Sequence, residues 1–446
     1  MPPALAPTRR RTPSRNAALA VLCATAVASQ LPLAGAAAAA PLPGVPSGYS
    51  AHLFAAAPTG QTGPDDIARL GNHLFAAYQN GVGSDGKPSP SGATKSTVFE
   101  YALSGQKIAS WSLTGKVDGL GADPAGDRVV ATVNEDANSS AFTISPSRPA
   151  SEQVRHYAFT GLTHGGGTDS IVYAGGLLYA TASAPQADAD GKTYSQTALY
   201  TVKFTGGAAG TQGAAALTPV LKDNATAVDR VTGKPAKLNL SDPDSSEHIP
   251  AAVPGVGGEV LLDSQGDKQL VFLGAAKAPT VLNLNTQVDD SAFATRTTGT
   301  LYVVDSKANQ ILAVTGPFKK GQSFVSVPND SDTLKGVLGS LNLKTGQVST
   351  FAQLKNPKGL LFTDESYQGP TGQPTPGPSS TPTAGGTGGG TGSAGTPSAG
   401  ASPSGSALAA TGAGNTLGIV GIAGALLAAG SAVFYVTRRR SSRPSA

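Results

Sequence analysis

Four short segments place aspartate at the head of a run that turns apolar: Asp65-Asp66-Ile67, Asp118-Gly119-Leu120, Asp169-Ser170-Ile171 and Asp289-Asp290-Ser291. If these heads converge, Asp66, Asp118, Asp169 and Asp290 offer a ring of carboxylate oxygens, the donor set for calcium or another hard divalent cation. The competing account is local, since aspartate at a strand start bonds its own backbone and caps the turn. A denser group of ligand types is Ser241-Asp242-Pro243-Asp244-Ser245-Ser246-Glu247-His248. There Asp244, Glu247 and His248 could coordinate a metal or act as acid and base, although the spacing fits neither an EF-hand nor a zinc-binding helix. Residues 222–258 around them are poor in strand signals and read as an insertion or elongated polar loop. His164 stands before Gly165-Gly166-Gly167 and Asp169, where it could join the aspartates or belong to a loose turn. No catalytic set is assembled: there is no Gly-x-Ser-x-Gly elbow.

The elements that would position these groups are strands. About ten residues after each acidic head comes a more apolar run: 73–78, 128–133, 177–181 and 300–304, with a fainter copy from Glu259 into 268–272. Tyr101 to Ile108 and Leu341 to Val348 share a hairpin pattern, with Gly105 and Gly346 where a tight turn needs positive φ. A period of about 50 residues with three or four strands is the signature of a β-propeller blade. The expectation is an all-β fold, a single propeller of about six blades, with five and seven also compatible. A pair of β-sandwiches is the runner-up and leaves the recurring acidic head unexplained. Tyr49 to Phe54 and Lys358 to Thr363 would share one blade and close the ring, abolishing exposed edges. By repeat pattern alone, residues 41–367 resemble propellers of the NHL and gluconolactonase-like type. That resemblance implies ligands at the central channel mouth, either for a binding module or for a metal-dependent lactonase or lyase.

The two ends carry addresses. Arg9, Arg10, Arg11 and Arg15 precede an apolar run, and Ala36 to Ala40 offer small residues for cleavage, so 1–40 reads as a signal peptide. Near the other end, Leu408-Ala409-Ala410-Thr411-Gly412 is followed by apolar residues 417–436 and by Arg438, Arg439 and Arg440. Twenty apolar residues at about 1.5 Å each span about 30 Å, a bilayer core, and the arginines hold the tail inside. This order, over 407–446, resembles the wall-sorting signal of Gram-positive bacteria in the variant used by actinobacterial class E sortases. The resemblance implies cleavage between Thr411 and Gly412 and transfer of Thr411 to a peptidoglycan precursor. It also implies only a transient single-pass membrane intermediate. A permanent membrane anchor is the alternative. Residues 368–406 are nearly all Gly, Pro, Ser, Thr and Ala and read as a disordered stalk, roughly 35 Å across as a coil.

Removing both ends reverses the charge. Eight of the 32 basic residues and none of the 28 acidic ones lie there, so the exported part is net acidic and nucleic acid is not a partner. The single cysteine, Cys23, leaves with the signal peptide, which excludes a disulfide framework and a thiolate site. The expectation is a secreted, wall-anchored protein displaying a propeller to a surface or extracellular ligand. Thr411→Ala is expected to release the protein from purified wall into membrane and medium. Covalent retention of that variant would refute the sorting signal.

Overall fold

The computed structural model describes residues 42–369 except 165, 276–277 and 330–334. The expected signal peptide, nearly all of the stalk, and the sorting signal lie outside the described residues. Among the described residues, helix is confined to three single 3-10 turns, and no helix is long and apolar enough to cross a membrane.

The chain begins with β1 (Ser50–Ala56) and then lays down three antiparallel meanders. Blade 1 is β2 (Pro64–Leu70), β3 (His73–Tyr78), β4 (Lys95–Ala102) and β5 (Lys107–Thr114). Blade 2 is β6 (Val117–Asp123), β7 (Arg128–Val133), β8 (Ser140–Ile144) and β9 (Val154–Thr160). Blade 3 is β10 (Thr168–Ala174), β11 (Leu177–Ala182), β12 (Thr197–Thr205) and β13 (Gly213–Lys222). A parallel pairing of β13 with β9 joins blades 2 and 3 into one eight-stranded sheet. A hairpin, β14 (Thr226–Asp229) and β15 (Pro235–Lys237), then precedes blade 4 and pairs along its outer edge. That blade is β16 (Pro243–His248), β17 (Val260–Ser264), β18 (Gln269–Leu273) and β19 (Thr280–Asn283).

The last two blades are interleaved. β20 (Asp290–Phe293) opens blade 5, but the next hairpin, β21 (Thr300–Asp305) and β22 (Gln310–Thr315), leaves for blade 6. The chain returns for β23 (Ser323–Val327), β24 (Val337–Leu341) and β25 (Val348–Gln353), which complete blade 5. β26 (Pro357–Thr363) is then the inner strand of blade 6, in the order β26-β21-β22-β1. Asp305 fixes the visiting hairpin: it is buried and accepts the amides of Lys355 at 3.0 Å and Asn356 at 2.8 Å, just ahead of β26. The inner strands β2, β6, β10, β16, β20 and β26 touch in turn, and β26 touches β2, so six blades form a closed ring. These strand pairings define a β-propeller.

Period-2 alternation sends side chains to both faces of every blade, and each face is buried against the next. In β3, Leu74, Ala76 and Tyr78 pack with Phe54, Tyr302 and Ile311 of blade 6, while Phe75 and Ala77 pack with Val117 and Val129 of blade 2. Six apolar clusters fill the six seams in this way. Each fully buried Leu, Val or Phe contributes about 1.5–3 kcal/mol.

Three sequence expectations need correction. Residues 222–258 are not a loop insertion but carry β14, β15 and the inner strand β16. The run from Glu259 supplies the second and third strands of blade 4, not the first and second. Asp290 and Thr300–Asp305 lie in different blades, since β20 pairs with β23 (Asp290 opposite Ser326). β1 and β26 do share a blade, separated by β21 and β22.

At Gly119 a Cβ would strike the backbone of Asp169 and Ser170 and the Thr132 hydroxyl. Gly119→Ala is therefore expected to destabilise the ring by about 1–3 kcal/mol, read as a lower urea midpoint. An unchanged midpoint would mean that β6 and β10 do not approach this closely.

Candidate functional site

A β-bulge sets up the site. In β2, Pro64 lies opposite Tyr78 but Ile67 lies opposite Ala76, so three steps on one strand match two on the other. The same slip occurs in β6, in β10, in β16 and in β26. Bulges re-aim side chains, and here the residue after the first strand position is equivalent in each case. It is Asp65, Asp118, Asp169, Asp244 and Lys358. Blade 5 follows suit with Asp289, whose amide bonds the Ser326 carbonyl just before β20 begins. Five aspartates and one lysine thus occupy one level of the ring. Each bears on the charge of its neighbours: Lys358 and Asp289 act on Asp65, Asp65 on Asp118, Asp118 on Asp169, and Asp169 and Asp289 on Asp244.

Two ammonium groups sit among these acids. Lys116 Nζ is 2.5 Å from Asp118 and 2.7 Å from Glu135, and Lys358 Nζ is 2.6 Å from Asp289. Burial works against the charge of Lys116, but Asp118, Glu135 and Asp65 outweigh it and hold the ammonium protonated well above its ordinary range. Glu135, held by Lys116, also faces the acids of blades 3 and 4. Glu135, Asp169 and Asp244 bring one oxygen each to within 4.8 Å of one another. Burial pushes the Asp169 carboxyl well up, helped by Asp244 beside it, and burial pushes Asp244 up to about 8. These two carboxyls share a hydrogen bond, which requires at least one of them to carry a proton.

A second level lies one or more residues further along the strands. Asp66 accepts the amides of Ile67 at 2.6 Å and of Leu120 in the next blade at 2.7 Å. Asp290 repeats this with Ser291 and Leu360, both at 2.7 Å. Glu247 stands near both, and burial followed by the Asp66 charge pushes it up to about 8.

The candidates named from sequence therefore separate. Asp118, Asp169 and Asp244 share the first level, whereas Asp66 and Asp290 are occupied as inter-blade clamps beside Glu247. His164 is buried, with Nδ1 2.8 Å from the Tyr200 hydroxyl and Nε2 against the Gly167 carbonyl. Both ring nitrogens are engaged, so it offers no lone pair to a ligand. His248 ends β16, four residues from Asp244, and desolvation lowers its pKa. Sequence reasoning passed over Asp65, Asp289, Glu135, Lys116 and Lys358. A signal for the first two existed, because aligning Ile67, Leu120 and Ile171 puts Asp65, not Asp66, level with Asp118 and Asp169.

The donors at the Glu135–Asp169–Asp244 cluster are all carboxylate oxygens, which suits calcium, magnesium or manganese and not a thiolate-seeking metal. Oxygens held about 2.3–2.6 Å from one calcium ion fall within about 5 Å of each other, the spacing found here.

No family model matches the chain, and no curated protein matches it in sequence. Loose likenesses to solved structures exist. Hydrazine synthase of Kuenenia stuttgartiensis aligns at 11% identity and TM-score 0.33, over 66% of this chain and 66% of that one. TolB from Acinetobacter baumannii aligns at 12% and 0.37, over 72% and 68%. A periplasmic gluconolactonase of Pseudomonas aeruginosa aligns at 13% and 0.36, over 67% and 88%. Superpositions this loose transfer no site, and the propeller assignment rests on the strand pairing of this chain.

Asp66→Ala leaves two inner-strand amides without their acceptor. It is expected to cost about 1–3 kcal/mol, measured by chemical denaturation in chelator. A loss below 0.5 kcal/mol, on the order of a surface substitution, would show that the clamp is dispensable.

Proposed function

We propose that this chain is a secreted, cell-wall-anchored protein whose propeller is displayed as a binding module, with a hard divalent cation held at the mouth of its central channel. The observation that supports the cation most directly is the Glu135–Asp169–Asp244 cluster, within a level where five of six inner strands present aspartate. The signal peptide, the stalk and the Leu408–Gly412 motif support display outside the membrane, through a class E-like sortase and a peptidoglycan precursor. The ion would displace the proton shared by Asp169 and Asp244, and it would leave open coordination positions facing solvent for oxygen ligands of a surface partner. A metal-dependent lactonase or lyase remains the second reading. It is favoured by Lys116, a charged group beside the cluster that could stabilise a developing oxyanion.

The raised carboxyls fix a pH dependence. Asp244 titrates near 3.9 when unfolded and at about 8 when folded. The metal-free fold therefore binds the extra proton, and the stability this proton contributes is fully present below about pH 4 and is lost as pH rises through about 8. In EDTA the melting temperature is expected to fall from pH 5 to pH 8. Calcium, which competes with that proton, is expected to raise it more at pH 8 than at pH 5. Asp169→Asn keeps a hydrogen bond to Asp244 while removing a charge. It should melt at or above the parent in EDTA at pH 8 and respond less to calcium. Equal calcium response in parent and variant would remove the cation from this cluster. Turnover of lactone or lyase substrates that calcium restores after chelation would favour the enzyme over the binding module.

A further inference from the structure

Strand β26 closes the ring yet is held by a single ladder. It pairs with β21 and with no other strand, and the pair nearest its carboxyl end is Thr300 with Thr363. A pull on the chain beyond Thr363 loads that pair first. A ladder opened from its end then gives way one pair at a time, and each net hydrogen bond is worth only about 0.5–1.5 kcal/mol.

Asp364 to Tyr367 stand in the way of such a pull. Thr300 is fully buried, and its hydroxyl is used twice: it donates to the Glu365 carbonyl at 2.6 Å and accepts the Tyr367 amide at 2.7 Å. The residue that begins the ladder is thus tied to the two residues that would peel it. The Glu365 carboxylate meets both terminal nitrogens of Arg69 in blade 1, at 2.5 and 2.8 Å. Arg69 Nε bonds the Gly71 carbonyl at 2.8 Å, so this fork is itself anchored. The Tyr367 ring packs edge-on against Phe54 of β1, with centroids 5.8 Å apart, and its hydroxyl donates to the Leu53 carbonyl at 3.4 Å. Asp364 accepts from Arg296 Nε at 2.7 Å and from the Thr295 hydroxyl, both in the connection between blades 5 and 6. Gly299 permits the close crossing, since a Cβ there would strike the Thr363 carbonyl and the Phe362 ring.

These contacts are unequal. Arg296 and Asp364 are 67% and 42% exposed, and a solvated pair of that kind contributes little. The Thr300 bonds, withdrawn from water, and the two-pronged Arg69 fork carry most of the hold. Past Gln368 the sequence is nearly all Gly, Pro, Ser, Thr and Ala up to Ser406, with no charge and no aromatic ring. Asp364 to Tyr367 therefore offer the last charged and aromatic side chains before that run.

We propose that Asp364–Tyr367 is a load-bearing strap: tension entering from the carboxyl-terminal side is taken by Thr300, Arg69 and β1 before it reaches the β21–β26 ladder. The pull is spread over blades 6 and 1, so the strand placed last in the chain is not the first to leave. This inference rests neither on the sorting signal nor on a bound cation.

The test pulls single molecules of the full chain at constant force in mild detergent. One handle is on the carboxyl end and the other on Lys203→Cys, in the middle of blade 3, with Cys23→Ser removing the native thiol. Thr300→Val is expected to shorten the life of the closed ring about tenfold, the effect of losing buried hydrogen bonds. It should also release first a segment the length of residues 357–367, roughly 40 Å when extended. Glu365→Ala alters a half-exposed side chain, guards against a Thr300 variant that fails to fold, and is expected to act in the same direction. Thr300→Ser keeps the hydroxyl and should restore the lifetime of the parent. With the first handle moved to the amino end, β1 leaves β22 first and the strap lies outside the path, so parent and variants should hold equally long. Equal lifetimes in the carboxyl-end pull would overturn the strap. Equal shortening in both geometries would overturn it too, because Thr300 and Glu365 would then stabilise the fold without bearing the load.

Discussion

Closing blades into a ring brings their inner strands side by side, so residues at one register must meet whatever their charge. Every other feature of this propeller follows from how that crowding is managed. The six apolar seams hold the blades face to face, and the common bulge then turns Asp65, Asp118, Asp169 and Asp244 toward one level, where Asp289 joins them. Like charges in a shared low-dielectric space cannot all ionise. The chain answers with Lys116 and Lys358, with a proton between Asp169 and Asp244, and with amides that absorb Asp66 and Asp290. What is left is a pair of buried carboxyls, Asp169 and Asp244, crowded against Glu135, which Lys116 already holds. The cation proposed above would relieve that crowding.

Much of the fold was legible because a blade is a local object. Strands separated by tight turns, such as β2 and β3 or β6 and β7, announce themselves through an acidic head, a turn and an apolar run. The hairpins of β4–β5 and β24–β25 show in their positive-φ glycines, Gly105 and Gly346. What local pattern cannot show is which sheet a hairpin joins. Thr300–Asp305 follows Asp290 closely enough to read as its partner, yet it packs one blade further round, because nothing within ten residues distinguishes the two pairings.

The site was harder to read for a related reason. Strand β16 has the sequence Pro-Asp-Ser-Ser-Glu-His, with no apolar residue after its first, and its residues sit half-buried between β10 and β20 rather than in an apolar core. Composition alone assigns such a segment to a loop, and so the strand that carries Asp244 and Glu247 was missed. Asp263 is the opposite case: its neighbours Leu261, Leu262 and Ser264 give the look of an ordinary buried strand, with no sign that its carboxyl is buried without a hydrogen-bond partner.

Blade 6 has a consequence for how the protein comes to exist. Its four strands come from the beginning, the later middle and the end of the folded region, with Ser50 opposite Thr315 and Thr300 opposite Thr363. A chain synthesised amino terminus first therefore holds β1 as a lone strand until β21 and β22 follow. The inner edge of that blade then stays open until β26 emerges. Contacts of such long sequence separation are slow to form, so the nascent ring passes through an unclosed state with two bare strand edges. Whatever guards those edges while the chain is incomplete bears on the yield of finished protein as surely as the stability of the closed ring.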